Sequence, residues 1–96
     1  MRRSKTITIA EAIEDFVKEM GLKDKLEERS LIDSWEDIVG KAISLRTTKI
    51  YIKDHIMYVH LNSSVVRNEL HMLRDLLRNK LNEKAGKLII TDIVLR

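Results

Sequence analysis

The spacing of apolar residues changes twice along this chain, and those changes leave few folds open. Up to about residue 45 the apolar side chains recur every three or four positions, as along one side of a helix. From Thr47 the interval becomes two, in "TTKIYIK" and again in "IMYVHLN", the pattern of half-buried strands. After Ser63 the helical interval returns and lasts to Ala85, and "KLIITDIVLR" closes the chain as a further strand, rich in Ile, Val and Leu. The 96 residues hold one core at most. The expected fold is therefore α+β: a two-layer domain in the order α-α-β-β-α-β, with helices on one face of a three-stranded sheet.

Local signals set the expected boundaries. Thr8-Ile9-Ala10-Glu11 reads as a capping box at the start of the first helix. Ile9, Ile13, Phe16, Val17 and Met20 then share one face, and Gly21 is expected to end this helix as a left-handed cap. A second helical stretch begins at Leu22 and Leu26 and continues through Leu31, Ile32, Trp35, Ile38, Val39 and Ala42, with a break near Ser30. Gly40 inside it implies either close helix packing or a bend. Asp54-His55 is suited to a two-residue hairpin turn. That register places Ile52 against Met57, Ile50 against Val59 and Thr48 against Leu61 on the buried side. Tyr51 against Tyr58, Lys49 against His60 and Lys53 against Ile56 lie on the other. Ser63 or Ser64 caps the long helix and Gly86 closes it.

That long helix carries three kinds of face. Val66, Leu70, Leu73, Leu77 and Leu81 form a core stripe. Arg67, His71, Arg74 and Arg78 stack along one flank, while Val65, Met72 and Leu76 line the other and are expected to pack under the sheet or against the first helix. The Arg and His row has the spacing to neutralise phosphates along a nucleic-acid strand; the alternative is a solvated edge whose charges pair with Glu69, Asp75 and Glu83. Tyr51 and Tyr58, with Lys49, Lys53 and His60 around them, would make a stacking platform for unpaired bases. The alternative there is that Tyr is a good strand former on a half-wet surface. Phe16 and Trp35 read as core.

Charge is distributed unevenly. Residues 7–40 hold four bases and ten acids, whereas residues 41–96 hold eleven bases and five acids. Arg2, Arg3 and Lys5 add a basic start, and residues 1–7 are expected to form a flexible arm ahead of a single domain over residues 8–96. Such asymmetry favours a polyanion on one side of the molecule.

Other classes of function find little support. There is no Cys, hence no disulfide or thiolate metal site, in keeping with a reducing cytoplasmic setting. No apolar run approaches 18 residues, so no membrane association is expected. His55, His60 and His71 lack metal-ligand spacing, and no Gly-rich phosphate loop is present. No cofactor, metal, small-molecule substrate or catalytic residue is expected, and an enzyme is the least favoured class.

Trp35-Glu36-Asp37-Ile38-Val39-Gly40, "SLRTTKIYI", "MYVHLNSSVVRNELHMLRDLLRNKLNE" and the closing Asp92-Ile93-Val94-Leu95-Arg96 together resemble the DciA-like family over residues 8–96. The resemblance implies a KH-like fold in the bacterial cytoplasm and a non-enzymatic adaptor that assists the replicative DNA helicase on single-stranded DNA. Three features depart from the family. Val66 stands where many members have Trp, longer members carry a tail beyond the domain, and Gly21, Gly40 and Gly86 are too far apart to form the Gly-x-x-Gly clamp of true KH domains. The expected function is an adaptor of DNA replication that contacts the replicative helicase and binds single-stranded DNA weakly through Lys49, Tyr51, Lys53, Tyr58, Arg67, His71, Arg74 and Arg78. Alternatives are an RNA-binding module, or a protein–protein interaction domain without affinity for nucleic acid.

Overall fold

The central strand of the sheet is also the most deeply buried segment of the molecule. A computed structural model describes residues 8–96; the basic start at Arg2, Arg3 and Lys5 lies outside them. Strands β1 (Thr47–Lys53) and β2 (Ile56–Leu61) pair antiparallel, and β3 (Asp92–Leu95) joins the other side of β2 in parallel. Met57 and Val59 are fully buried, with Leu61 nearly so, and Ile93 meets them from β3. Against this face pack Leu31 and Trp35 from the N-terminal helices and Leu70, Leu77 and Leu81 from the later ones. The alternation seen in the sequence is thus the division between core and outer face.

The hairpin forms as its two turn residues allow. Asp54 and His55 both have positive φ, 53° and 64°, which a type I′ connection requires and which Asp tolerates better than most residues. The expected pairs Ile52–Met57, Ile50–Val59, Tyr51–Tyr58, Lys49–His60 and Lys53–Ile56 are all present. At the far end Thr47, not Thr48, faces Leu61, because a bulge falls between Thr47 and Lys49. The bulge turns Thr47 inward, where its hydroxyl accepts from Trp35 Nε1 at 3.0 Å and donates to the Ile43 carbonyl at 3.1 Å. Thr48 is exposed and donates to the His60 carbonyl.

Helix α1 (Ile9–Asp33) begins on the expected capping box: Thr8 Oγ1 accepts from the Glu11 amide at 3.1 Å, and Glu11 Oε1 accepts from the Thr8 amide at 3.3 Å. It does not stop at Gly21 or break at Ser30. Gly21 is helical, and nothing approaches the place of its missing side chain. A left-handed cap is favoured where the following chain turns back onto a partner; Leu22 and Leu26 remain exposed and supply no such anchor. The helix therefore carries a central Gly at a cost of about 1 kcal/mol. It ends where Ser34 Oγ donates to the Leu31 carbonyl at 2.7 Å. Short helices α2 (Trp35–Val39) and α3 (Lys41–Leu45) follow, separated by Gly40 at φ 90°. Of the two explanations for Gly40, a bend is correct, since the space beside it is open.

The long helix is two helices, α4 (Ser64–Met72) and α5 (Arg74–Ala85), with Ser63 capping the first and Gly86, at φ 79°, closing the second. The Leu73 amide reaches back to Leu70 and His71, short of a full helical turn, and Leu73 is left half exposed, outside the core stripe. Residues 87–91 do not extend β3. Instead Asn82 folds them inward: its Oδ1 accepts from the amides of Ile89 and Ile90 at 3.0 and 3.1 Å, and its Nδ2 donates to the Ile90 carbonyl at 2.9 Å. One side chain thereby delivers two buried isoleucines to the core.

Two other expected core groups are exposed. Phe16 is 62% accessible together with the rest of its stripe, and Val65, Met72 and Leu76 lie open on α4 and α5. The cause is geometric: the leading half of α1 runs past the end of the domain, giving extents of 60 × 21 × 20 Å.

Two measurements check this description. Gly21→Ala is expected to raise helical circular dichroism and slow amide exchange in residues 9–20, whereas Gly86→Ala should lower stability by about 1 kcal/mol; a Gly21 cap would give a loss at both positions. Asn82→Ala should cost about 2–3 kcal/mol in urea unfolding, because three backbone groups lose their partner.

Candidate nucleic-acid interface

The alternation that buries Met57 and Val59 lifts the neighbouring side chains onto the opposite face of the sheet. β1 contributes Lys49, Tyr51 and Lys53, β2 contributes Ile56, Tyr58 and His60, and β3 contributes Asp92 and Val94 in register with Ile56 and Tyr58. Tyr51 and Tyr58 stand directly across from each other, their rings stacked with centroids 4.9 Å apart and planes 15° apart. Cations cap both ends of the stack: Lys49 Nζ lies 5.2 Å from the Tyr51 centroid and Arg96 Cζ lies 5.5 Å from that of Tyr58. The His60 ring tilts against Tyr51 at 5.9 Å. Lys49 and Lys53 are exposed and the tyrosines half-buried.

The helical row is arranged differently. Arg67 turns inward; its Nη2 donates to the Leu61 carbonyl at 3.3 Å, and its Nε is buried without an acceptor. Arg74 Nε lies 3.6 Å from Asp92 Oδ1, which ties the start of α5 to the start of β3. Arg78 pairs with Asp75 at 3.1 Å, one turn away on its own helix. His71 is exposed. Of the eight residues singled out in the sequence, the fold gathers Lys49, Tyr51, Lys53 and Tyr58 on one surface. The row from Arg67 to Arg78 lies apart from them on α4 and α5, with its arginines already engaged.

Arg96 was not singled out in the sequence. The signal was present: continuing the alternation of β3 puts it on the same side as Asp92 and Val94. Its backbone amide and carbonyl bond to Val59 and Leu61, so its side chain is held beside Tyr58 by the sheet itself.

Among the described residues no three His, Asp or Glu side chains converge as a metal site would need. A depression of about 190 Å³ is bordered by Glu27, Ser34, Lys84 and Ile89. No helix is long and apolar enough to cross a membrane.

A family model described as "Dna[CI] antecedent, DciA" matches residues 8–95. The chain belongs to the DciA family. The family is associated with loading of the replicative helicase in DNA replication, as an adaptor and not an enzyme. No curated protein and no solved structure matches the chain, so the KH-like description rests on the resemblance in the sequence. The expected α+β architecture stands on this DciA chain's own topology.

The different engagement of the arginines has a measurable consequence. Arg67→Ala is expected to lower stability by about 1–2 kcal/mol, through the lost bond to β2 and the lost packing of its stem. Arg74→Ala and Arg78→Ala should each stay within about 1 kcal/mol of the parent, as exposed ion pairs do. Urea unfolding compares the three directly.

Proposed function

We propose that this DciA-family domain is a non-enzymatic adaptor of DNA replication that contacts the replicative helicase and binds single-stranded DNA weakly through the outer face of its sheet. The observation that carries the DNA part is the Tyr51–Tyr58 stack with a cation at each end. A base can take the outer ring face of either tyrosine by displacing Lys49 or Arg96. Giving up an exposed cation–π contact costs about 0.5–1 kcal/mol, less than the ~1–3 kcal/mol that a base–aromatic stack contributes. The displaced cation stays on a flexible stem within reach of a phosphate, so little of its charge is lost to the interface. Lys53 extends the positive surface along β1.

The helical row has a secondary role in this reading. Arg74 and Arg78 must first leave Asp92 and Asp75, and His71 is the member without such a tie. An RNA strand would meet the same rings and cations; the sheet offers no feature that selects against a 2′-hydroxyl, so parallel DNA and RNA titrations decide between them. The helicase contact and the cytoplasmic setting come from the family.

The test is fluorescence anisotropy of a labelled oligothymidylate. Tyr51→Ala and Tyr58→Ala should each weaken binding by about 1–3 kcal/mol. Lys49→Gln and Lys53→Gln should each lower the slope of log K against log salt by about 0.7. Absent or salt-insensitive binding by the parent chain, with the helicase still retained, would leave a protein–protein adaptor and remove the DNA role.

A further inference from the structure

The outer face of the sheet has two chemically different ends. Lys49 on β1 stands across from His60 on β2. Arg96 completes that row. Its amide donates to the Val59 carbonyl and its carbonyl accepts from the Leu61 amide, the two bonds that set a residue beside His60 in a parallel pair. At the same end of β2, Arg67 Nη2 donates to the Leu61 carbonyl. Among the described residues none of these four groups lies within ion-pair distance of a carboxylate. Between Asp37 and Glu69 the sequence holds a single acid, Asp54, and it sits in the hairpin turn at the other end. That other end is mixed in charge. Arg74 is tied to Asp92 and Lys87 to Glu27, and Asp24 and Glu28 border the hollow beside His55.

Two buried side-chain nitrogens among the described residues have no hydrogen-bond partner, His60 Nε2 and Arg67 Nε, and both belong to the basic end. Arg67 Nε always carries a hydrogen, and His60 Nε2 carries one when the ring is charged or in that tautomer. Buried donors without an acceptor are rare in folded proteins, and here two occur at one end of one strand.

We infer that this row is a phosphate-binding edge: a single strand crosses β1, β2 and β3 with its phosphates along Lys49, His60 and Arg96 and its bases toward Tyr51 and Tyr58. The inference rests on the reading of the outer face as a nucleic-acid surface and adds to it the path of the backbone. Tyr51 and Tyr58 stack from one strand to the next, so their stacking axis runs at right angles to the strands. The cationic row runs the same way, about 7 Å further along the strands, and spans about 10 Å from β1 to β3. Stacked bases and their phosphates lie side by side in this manner. Lys49 and Arg96 lean over the outer faces of the two rings. A base that takes either face returns the cation to its own row, beside His60, where like charges crowd unless an anion joins them. A phosphate oxygen does so and accepts charge-assisted hydrogen bonds from the row. On the far side of the tyrosines, Asp54 and Asp92 repel a backbone.

NMR of the full chain with three probes separates this edge from the tyrosine platform. An abasic deoxyoligonucleotide keeps the phosphates and lacks the bases, an oligothymidylate of equal length has both, and inorganic phosphate lacks the chain. The abasic strand is expected to shift the His60 ring nitrogens and the Arg96 Nε–H and to leave the tyrosine rings little changed. The oligothymidylate should shift all of them. Inorganic phosphate at the same phosphate concentration should shift His60 far less. Arg96→Gln should lower the slope of log K against log salt for the abasic strand by about 0.7, while Lys80→Gln, an equal loss of charge at an exposed site on α5, should leave it unchanged. Tyrosine shifts with oligothymidylate but no response of His60 or Arg96 to either strand would overturn the edge and leave the platform standing. No response to either strand would overturn both. An equal response to inorganic phosphate would make this a site for a free anion and overturn the path across the sheet.

Discussion

Strand β2 is hydrogen-bonded on both edges and covered on one face, and the rest of the molecule is arranged around that condition. Met57, Val59 and Leu61 project into the helical layer, while Ile56, Tyr58 and His60 necessarily project the other way. A one-residue slip would exchange the two sets and put Tyr58 and His60 into the core. The same register that buries the core therefore erects the tyrosine stack, and a slip that displaces one displaces the other. Asp54 and His55 hold this register from one end and the Thr47 bulge adjusts it at the other.

Much of this was legible in the sequence because it depends on local chemistry. The capping box, the hairpin pairs, the Ser63 and Gly86 caps and the order of elements each follow from residues within a few positions of one another. The failures share a physical cause. Periodicity states which side chains share a face; it does not state whether anything covers that face. Phe16 and Trp35 occupy equivalent apolar stripes, yet Trp35 is 3% exposed and Phe16 is open, because α1 continues past the domain where a turn at Gly21 was expected. Leu73 fits the core spacing of an unbroken helix and leaves the core once the helix tightens beside it. The Asn82 bracket depends on residues seven and eight positions away folding back, which no local pattern records.

The candidate site was legible in the same uneven way. Cross-strand pairing placed Lys49, Tyr51, Lys53 and Tyr58 together. The row Arg67, His71, Arg74 and Arg78 was read from the spacing of one unbroken helix, but it is divided between α4 and α5, and its electrical state was not readable from spacing. Asp92, which meets Arg74, lies eighteen positions away on another element. Arg67 is taken up by a strand carbonyl. Counting cations along a helix overstates the field they present when each already has a partner, and the outer face of the sheet carries more free charge than the helix that first drew attention. Membership of the DciA family associates the chain with helicase loading, and the acidic, apolar leading half of α1 is a second surface chemically unlike the outer face of the sheet.

The central claim is that a nucleic-acid strand lies on the outer face of the sheet. A two-dimensional amide NMR titration with an oligothymidylate tests it residue by residue without altering the protein. The account predicts that chemical-shift changes concentrate in residues 49–53, 56–60 and 92–96, with smaller changes around His71. Changes confined to α4 and α5, or absent from the three strands at saturating oligonucleotide, would contradict it.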